Sequence, residues 1–320
     1  MGFGHKHTIP IFCSHCRGHT KLPKYPVGVP VLMETEVEEV ESQGKPTCLG
    51  SGIHGDVVLK RKKNGGELIA VKRLKNVKDE EKAYQEMIAE VKVMMAVQHH
   101  REFPKVHGII NRTTFAVEFV GDSVTLSSRH LRSLVKDPSA KVTKLGWVNI
   151  CLDISRGLQA LHQAGWSHND LHTQNIMVWR DPRNKSEGNW EAKIIDLGKA
   201  TRIDNPPPPF QFSAKEKAHR YKRCVQLAPE LIQGASQYGI PTDIYSLGYV
   251  FSVVSLNKPE LTVIDSIYHE CQREQKDRPT MELIIQGLGE LRRMAVNETM
   301  ADIRRGFNRL SKMCKVAKIS

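Results

Sequence analysis

The stretch SHNDLHTQNIMV, residues 167–178, places a carboxylate and an amide close together in the chain. If the chain turns tightly here, Asp170 can reach a nucleophile while Asn175 reaches a metal ion. Such a pair of residues also occurs by chance. Its meaning therefore depends on what the rest of the sequence supplies around it.

Size and composition indicate a globular protein. The chain has 320 residues, of which 40% are hydrophobic, enough for one two-lobed domain or two small ones. It contains no apolar run long enough for a membrane helix and no apolar signal core at its start. Seven cysteines, an odd number, suit a reducing compartment, so we expect an intracellular location in cytoplasm or nucleus.

Charge is distributed unevenly along the chain. The net charge is +12, and residues 286–320 hold eight Lys or Arg against three acidic residues. We predict a basic helical tail over residues 296–320, which is either a solvated helix face or a contact for acidic partners, anionic lipid or RNA. The tail lacks a series of aromatic residues for stacking on bases, so nucleic acid is not an expected partner.

Residues 1–43 are predicted to form an N-terminal extension with flexible segments. Within it, Cys13 and Cys16 form a C-x-x-C among four histidines, which is half of a zinc site by ligand type, or a pair of incidental thiols. The acidic segment ETEVEEVE, residues 34–41, alternates like an edge strand but would also serve as a linker. Both alternatives remain open.

A glycine-rich hairpin is predicted next, in LGSGIHGDVVLKRKKNGGELIAVKRLK, residues 49–75. Two runs with strand character flank the turn sequence KNGG. Gly50, Gly52 and Gly55 fit the pattern G-x-G-x-x-G-x-V, in which missing side chains let backbone N–H groups approach phosphates. Lys72 closes the second strand, from where its ammonium can reach the same phosphates.

The following stretch, EEKAYQEMIAEVKVMMAV (residues 80–97), is predicted to be a helix. Its apolar residues recur at helical spacing, as at Met87, Val91 and Met94. Glu90 lies on the face directed toward the sheet. We therefore pair Glu90 with Lys72.

Three polar residues converge in this reading on one phosphoryl group. Asp196 ends the apolar strand KIID and is placed to bind Mg²⁺, while Asn175 is placed to hold a second metal ion. Asp170 is placed to orient a substrate hydroxyl and accept its proton.

In this order the motifs resemble those of the eukaryotic protein kinase superfamily, over residues 44–295. The glycine loop, the AVK lysine and the helix glutamate are followed by the catalytic loop, DLG, APE, DIYSLG and DRP. The resemblance implies a bilobal α+β fold, with a small β-rich N-lobe to about residue 120 and a mostly α-helical C-lobe after it. It implies that ATP binds between the lobes and that Glu230 and Arg278 form a structural ion pair.

The resemblance also implies the site residues. The catalytic residues would be Asp170, Lys72 and Glu90, and the Mg²⁺ ligands would be Asn175 and Asp196. Backbone groups of Glu118 and Val120 would meet the adenine. The full set of ATP contacts would be Gly50, Ser51, Gly52, Gly55, Val57, Ala70, Lys72, Glu118 and Val120.

Two substitutions in the catalytic loop depart from the superfamily's pattern. Asn169 stands where an arginine usually grips a phosphorylated activation loop, and His172 replaces a lysine usual in Ser/Thr kinases. The loop also resembles that of small-molecule kinases such as choline or aminoglycoside phosphotransferases. Those families generally lack the APE segment and its arginine, which this chain has as Glu230 and Arg278.

The expected function is an ATP- and Mg²⁺-dependent protein kinase acting on protein hydroxyl groups. Serine or threonine is favoured over tyrosine because the catalytic loop lacks the Ala and Arg insertion of tyrosine kinases. A catalytically inactive kinase-like scaffold and a small-molecule kinase are the alternatives. Retention of the residues that contact phosphate and metal favours activity, because a scaffold needs none of them.

Overall fold

The structure is a computed structural model and describes residues 28–52, 55–75, 77–181, 186, 188–258 and 261–316. The elements of the N-terminal part are, in chain order, β1 (Val37–Glu39), β2 (Glu41–Ser42), β3 (Lys45–Pro46), β4 (Cys48–Ser51), β5 (Gly55–Lys62), β6 (Leu68–Leu74), α1 (Glu80–Val97), β7 (Val106–Asn111) and β8 (Thr114–Glu118). They are built around a six-stranded sheet in the order β1-β5-β6-β8-β7, in which β4 also pairs with β5.

The predicted glycine hairpin is confirmed. Strands β5 and β6 pair antiparallel from Gly55 opposite Leu74 to Arg61 opposite Leu68. The turn between them contains Gly65 and Gly66, whose φ angles are 92° and 70°. Only glycine adopts these left-handed angles without steric cost, so the two glycines specify the turn that sets the register.

Helix α1 is also confirmed, and its start is encoded locally. The Asp79 side chain accepts a hydrogen bond of 3.0 Å from the Lys82 N–H, which satisfies one of the helix's open donors. Met87, Val91 and Met94 are buried on one face. This apolar face holds the helix against the sheet and carries Glu90 with it.

The acidic segment that could have been strand or linker is an edge strand in part. Residues Glu34–Glu36 form a 3₁₀ turn, and β1 then pairs antiparallel with β5. Just before it, Val31 forms a parallel bridge to Ile109 of β7. Part of the segment predicted as an extension, residues 1–43, therefore packs on the small lobe. Cys13 and Cys16 lie outside the described residues.

The C-terminal part is mostly helical, as the bilobal α+β fold requires. The elements are α2 (Leu131–Lys136), α3 (Lys144–Gln163), β9 (Trp166–Ser167), β10 (Ile176–Arg180), β11 (Trp190–Ile194), β12 (Thr201–Arg202), α4 (Ala214–Arg223), α5 (Pro229–Gln233), α6 (Ile240–Asn257), α7 (Thr262–Cys271) and α8 (Met281–Val316). Strands β9 and β12 pair with each other, as do β10 and β11. Among the described residues, no helix is long and apolar enough to cross a bilayer.

The core of this lobe surrounds α3 and α6. Helix α3 packs against β11 and α8, and α6 packs against α7. Large side chains such as Trp147 and Phe251 are fully buried there, which is the main source of the lobe's stability. Helix α8 continues through the boundary predicted at residue 296, and the basic tail itself stays a prediction.

The ion pair expected between Glu230 and Arg278 is confirmed. The guanidinium donates to both carboxylate oxygens, at 2.5 and 2.9 Å, and also to the Pro241 carbonyl at 2.9 Å. Only 2% of the Arg278 side chain and 15% of the Glu230 side chain are exposed. The pair therefore ties the start of α5 to the start of α6 and to the segment before α8.

Replacing Arg278 by Ala should lower the free energy of unfolding by about 3–5 kcal/mol, because Glu230 is left as an unpaired carboxylate with little access to water. The matched control is Arg273→Ala, which removes an exposed pair with Glu270 and should cost less than about 1 kcal/mol. Urea unfolding of both variants measures the difference. Equal losses would contradict the bracing role of Glu230 and Arg278.

Candidate functional site

A cavity of about 280 Å³ lies between the two lobes. It collects nearly all of the site residues predicted from the sequence. Asp170 does not line the cavity and lies next to it in the catalytic loop. The predicted residues that line it are Gly50, Ser51, Gly52, Gly55, Val57, Ala70, Lys72, Glu90, Glu118, Val120, Asn175 and Asp196.

The three glycines of the loop differ in their surroundings. A side chain at Gly55 would meet the Arg73 carbonyl oxygen at 2.3 Å, so glycine is required there for the pairing of β5 with β6. At Gly50 and Gly52 an added Cβ would meet no atom within 4 Å. Open space over these two residues leaves their backbone accessible to a ligand in the cavity.

Lys72 occupies the centre of the polar end of the cavity. Its ammonium donates to both Glu90 oxygens, at 2.8 and 3.0 Å, and to an Asp196 oxygen at 3.2 Å. Burial by itself would lower the pKa of Lys72, but the Glu90 and Asp196 carboxylates outweigh it and raise the pKa above its ordinary value. The group therefore stays charged at neutral pH, as a phosphate contact requires.

The other end of the cavity is apolar. Most of the apolar residues that line this end were not predicted from the sequence, because buried apolar side chains in strands are expected whether or not a ligand contacts them. The amide of Glu118 donates to the Lys105 carbonyl, so of its two backbone groups only the carbonyl can meet a ligand. The additional lining residues include Met94, Phe115, Val117 and Met177.

Asn175 and Asp196 supply the oxygen atoms that could hold a divalent cation. The Asn175 amide nitrogen donates to the Asp170 carbonyl at 3.0 Å, which leaves its oxygen as the atom available to a metal. Asp196 has a φ of 60°, in the left-handed region that aspartate tolerates better than most residues. Among the described residues, no group of three or more His, Cys, Asp or Glu forms a complete metal cage. One carboxylate and one amide fit Mg²⁺, which usually completes its shell with water and substrate phosphates.

Asp170 lies between two basic side chains. The Lys199 ammonium contacts its carboxylate at 2.8 Å, and the His172 ring nitrogen Nε2 lies 3.9 Å from the same oxygen. Burial lowers the pKa of His172 against the opposing effect of Asp170, so the ring is mainly neutral at pH 7. Lys199 is therefore the cation that accompanies the carboxylate of the catalytic loop.

The catalytic loop is held from below by Asp243 of α6. This carboxylate has no exposed surface and accepts hydrogen bonds from the backbone amides of His168 and Asn169, at 2.7 and 2.9 Å. It is also 2.9 Å from Nε2 of His162 on α3. In the sequence, Asp243 is recognisable only as the first residue of the DIYSLG motif. Its motif position was visible, but its partners lie too far away in the chain to be inferred.

Asn169 connects the catalytic loop to the activation segment, which runs from DLG at residues 196–198 to APE at residues 228–230, without using charge. Its side-chain amide donates at 2.8 Å to the Lys199 carbonyl and at 2.8 Å to the Thr201 hydroxyl. The residue has a left-handed φ of 67° and is 3% exposed. Neutral, partly buried hydrogen bonds thus hold the start of the activation segment.

Comparison with known proteins agrees with this geometry. A family model for the protein kinase domain matches residues 45–303. The chain belongs to the protein kinase domain family. The match includes both lobes and every residue of the site described above.

Several curated protein kinases are similar to this kinase domain. The serine/threonine-protein kinase ICK of Mus musculus is 27% identical over 232 residues, which are 70% of this chain and 33% of the relative. Cyclin-dependent kinase C-2 C of Arabidopsis thaliana is 24% identical over 244 residues, 74% of this chain and 35% of the relative. Cyclin-dependent kinase 7 of Caenorhabditis elegans is 26% identical over 214 residues, 66% of this chain and 59% of the relative. The chain therefore spans only a third of the length of some relatives.

The Asn169 bonds predict how the kinase domain responds to dephosphorylation. Phosphatase treatment should leave amide hydrogen exchange of residues 199–203 unchanged, because Asn169 holds these residues through neutral hydrogen bonds that do not require a phosphate. Asn169→Gly should speed exchange there, since glycine keeps the left-handed backbone but removes the amide. The control is Asn257→Ala, at an exposed residue on α6. Faster exchange after phosphatase alone would show that the neutral tether is insufficient.

Proposed function

We propose that this chain is a protein kinase that transfers the γ-phosphate of ATP to serine or threonine hydroxyl groups of intracellular protein substrates, with Mg²⁺ as cofactor. The observation that carries the proposal is the position of Lys72 between Glu90 and Asp196 at the polar end of the cavity between the lobes. The Lys72 ammonium, the Asp196 carboxylate and the Asn175 amide match what phosphoryl transfer requires, because the reaction depends on positioning and charge stabilisation.

The nucleotide would be held at both ends of the cavity. The phosphates would approach through the open space over Gly50 and Gly52, where the Gly52 amide already donates to the Gly55 carbonyl at 2.9 Å, and Lys72 would donate to the phosphate oxygens. The adenine would lie against the apolar end, where it would meet the Glu118 carbonyl and the backbone of Val120. Among the described residues, no backbone hydrogen bond outside the strands and helices involves Val120.

Mg²⁺ would be held by Asp196 and by the side-chain oxygen of Asn175. When bound there, Mg²⁺ would supply positive charge that neutralises the negative charge developing during transfer. The chain's own contribution is to fix these two ligands. Asp196 is held by Lys72, and the backbone carbonyl of Asn175 accepts from the amide of Ile195, the residue before Asp196, at 3.0 Å.

Asp170 would orient the substrate hydroxyl and accept its proton as the oxygen attacks the phosphorus atom. The backbone directly before it is held by Asp243, which accepts hydrogen bonds from the amides of His168 and Asn169. Because Asn169 holds the activation segment through neutral hydrogen bonds, this activity does not depend on a phosphate on that segment.

Two considerations favour a protein substrate and Ser/Thr specificity. The similar kinases are named as serine/threonine-protein kinases or cyclin-dependent kinases. The Glu230–Arg278 pair braces the APE segment. Small-molecule kinases with a similar catalytic loop generally lack this segment and its arginine. An inactive scaffold would have no need for the arrangement of Lys72, Glu90 and Asp196.

The direct test is phosphate transfer from γ-labelled ATP to mixed acidic and basic proteins, with choline and aminoglycosides assayed in parallel. Protein labelling on Ser or Thr is expected, and Asp196→Asn should reduce it by at least about a hundredfold because a metal ligand is lost. The control Asp277→Asn alters an exposed carboxylate outside the cavity and should leave the rate unchanged.

Three outcomes would contradict the proposal. Preferential labelling of choline or an aminoglycoside would assign a small-molecule kinase. No turnover, together with no rise in melting temperature at millimolar ATP and Mg²⁺, would indicate a scaffold, because a bound ligand stabilises the native state by about 2.7 kcal/mol at a hundredfold excess over Kd. Turnover by Asp196→Asn within a few-fold of the parent would show that the metal ligands are assigned wrongly.

A further inference from the structure

Lys199 is placed unusually close to the proposed proton acceptor. Its ammonium is 2.8 Å from the Asp170 carboxylate, although the two residues are on different segments of the chain. The Lys199 side chain is 56% exposed, whereas that of Asp170 is 17% exposed. The ammonium therefore contacts the carboxylate from the open side, where a substrate hydroxyl has to arrive.

The position of Lys199 is fixed twice. Its backbone carbonyl accepts a hydrogen bond of 2.8 Å from the side-chain amide of Asn169. Its ammonium donates to the carboxylate of Asp170, the residue after Asn169. Two neighbouring residues of the catalytic loop thus hold both ends of Lys199. An exposed ion pair adds little to stability, so this double attachment is not explained by folding alone.

The same site needs a cation for chemical reasons. A transferring phosphoryl group carries negative charge on its outer oxygens, and the Asp170 carboxylate beside it is negative as well. Bringing the two together is unfavourable unless a positive group contacts both. His172, at the position where a lysine is usual, reaches no closer than 3.9 Å to the carboxylate through Nε2.

We propose that Lys199 is a catalytic residue of this kinase, which binds Asp170 through one N–H and donates another to the phosphoryl group in transit. This inference rests on the proposed kinase function. In the step, the substrate oxygen forms a bond to phosphorus as the bond to the bridging oxygen of ADP breaks, and ADP leaves with that electron pair. The hydroxyl proton passes to Asp170, while Lys199 keeps its proton and stabilises the outer phosphoryl oxygens throughout.

The test compares kcat, KM for ATP and melting temperature across matched variants. Lys199→Met should lower kcat about a hundredfold, as removal of a single transition-state donor does elsewhere, with KM and melting temperature nearly unchanged. Adding His172→Lys to Lys199→Met should restore much of the rate, because it returns an ammonium to the other side of Asp170. Lys136→Met changes an exposed lysine at the end of α2 and should behave as the parent.

A second measurement does not depend on turnover. The affinity for ADP, Mg²⁺ and aluminium fluoride, which together mimic the phosphoryl group in transit, should fall in Lys199→Met, whereas affinity for ADP and Mg²⁺ alone should not. Equal affinities of parent and variant for the mimic would overturn the inference.

The remaining outcomes separate this inference from the proposed function. If the parent is active and Lys199→Met stays within threefold of it, or is faster, Lys199 is not catalytic or acts as an inhibitory clamp. If kcat is lost and His172→Lys does not restore it, the role of Lys199 is structural and the inference is wrong. A parent protein that neither transfers phosphate nor binds the mimic refutes the proposed function and the inference together.

Discussion

The site depends first on one ammonium group, Nζ of Lys72. It joins strand β6 to Glu90 of α1 and to Asp196 after β11, so that the sheet, the helix and the large lobe share a single contact point. Glu90 is only 6% exposed, and an unpaired carboxylate at that depth would cost about 3–5 kcal/mol. The position of α1 and the shape of the cavity are therefore coupled to the charge that would bind phosphate.

A second constraint comes from below the catalytic loop. The buried carboxylate of Asp243 accepts from the consecutive amides of His168 and Asn169, which fixes the backbone directly before Asp170. The side chain at residue 169 is a neutral amide, and the nearby positive charge is carried by Lys199. Bonds of this kind form on folding and need no modification, which distinguishes them from attachment through a phosphate.

The sequence predicted the elements whose signals are local. The KNGG turn and the apolar spacing of α1 were sufficient to place Lys72 and Glu90 opposite each other, because each lies on a regular element with a known period. The partners of Asp243 and Lys199 could not be predicted, since Asn169 and Asp243 are 74 residues apart and their contact depends on the path of a loop. Strand β1 stayed undecided because its three residues, of which only Val37 is buried, are too few to separate a strand from a linker.

The most direct measurement is a crystal structure of the protein with a non-hydrolysable ATP analogue and Mn²⁺, whose anomalous signal locates the metal. We expect the analogue in the cavity between the lobes, its phosphates against Lys72, and a metal peak between the Asp196 carboxylate and the Asn175 side-chain oxygen. A metal held by other residues, or a cavity without nucleotide at saturating concentration, would contradict this expectation.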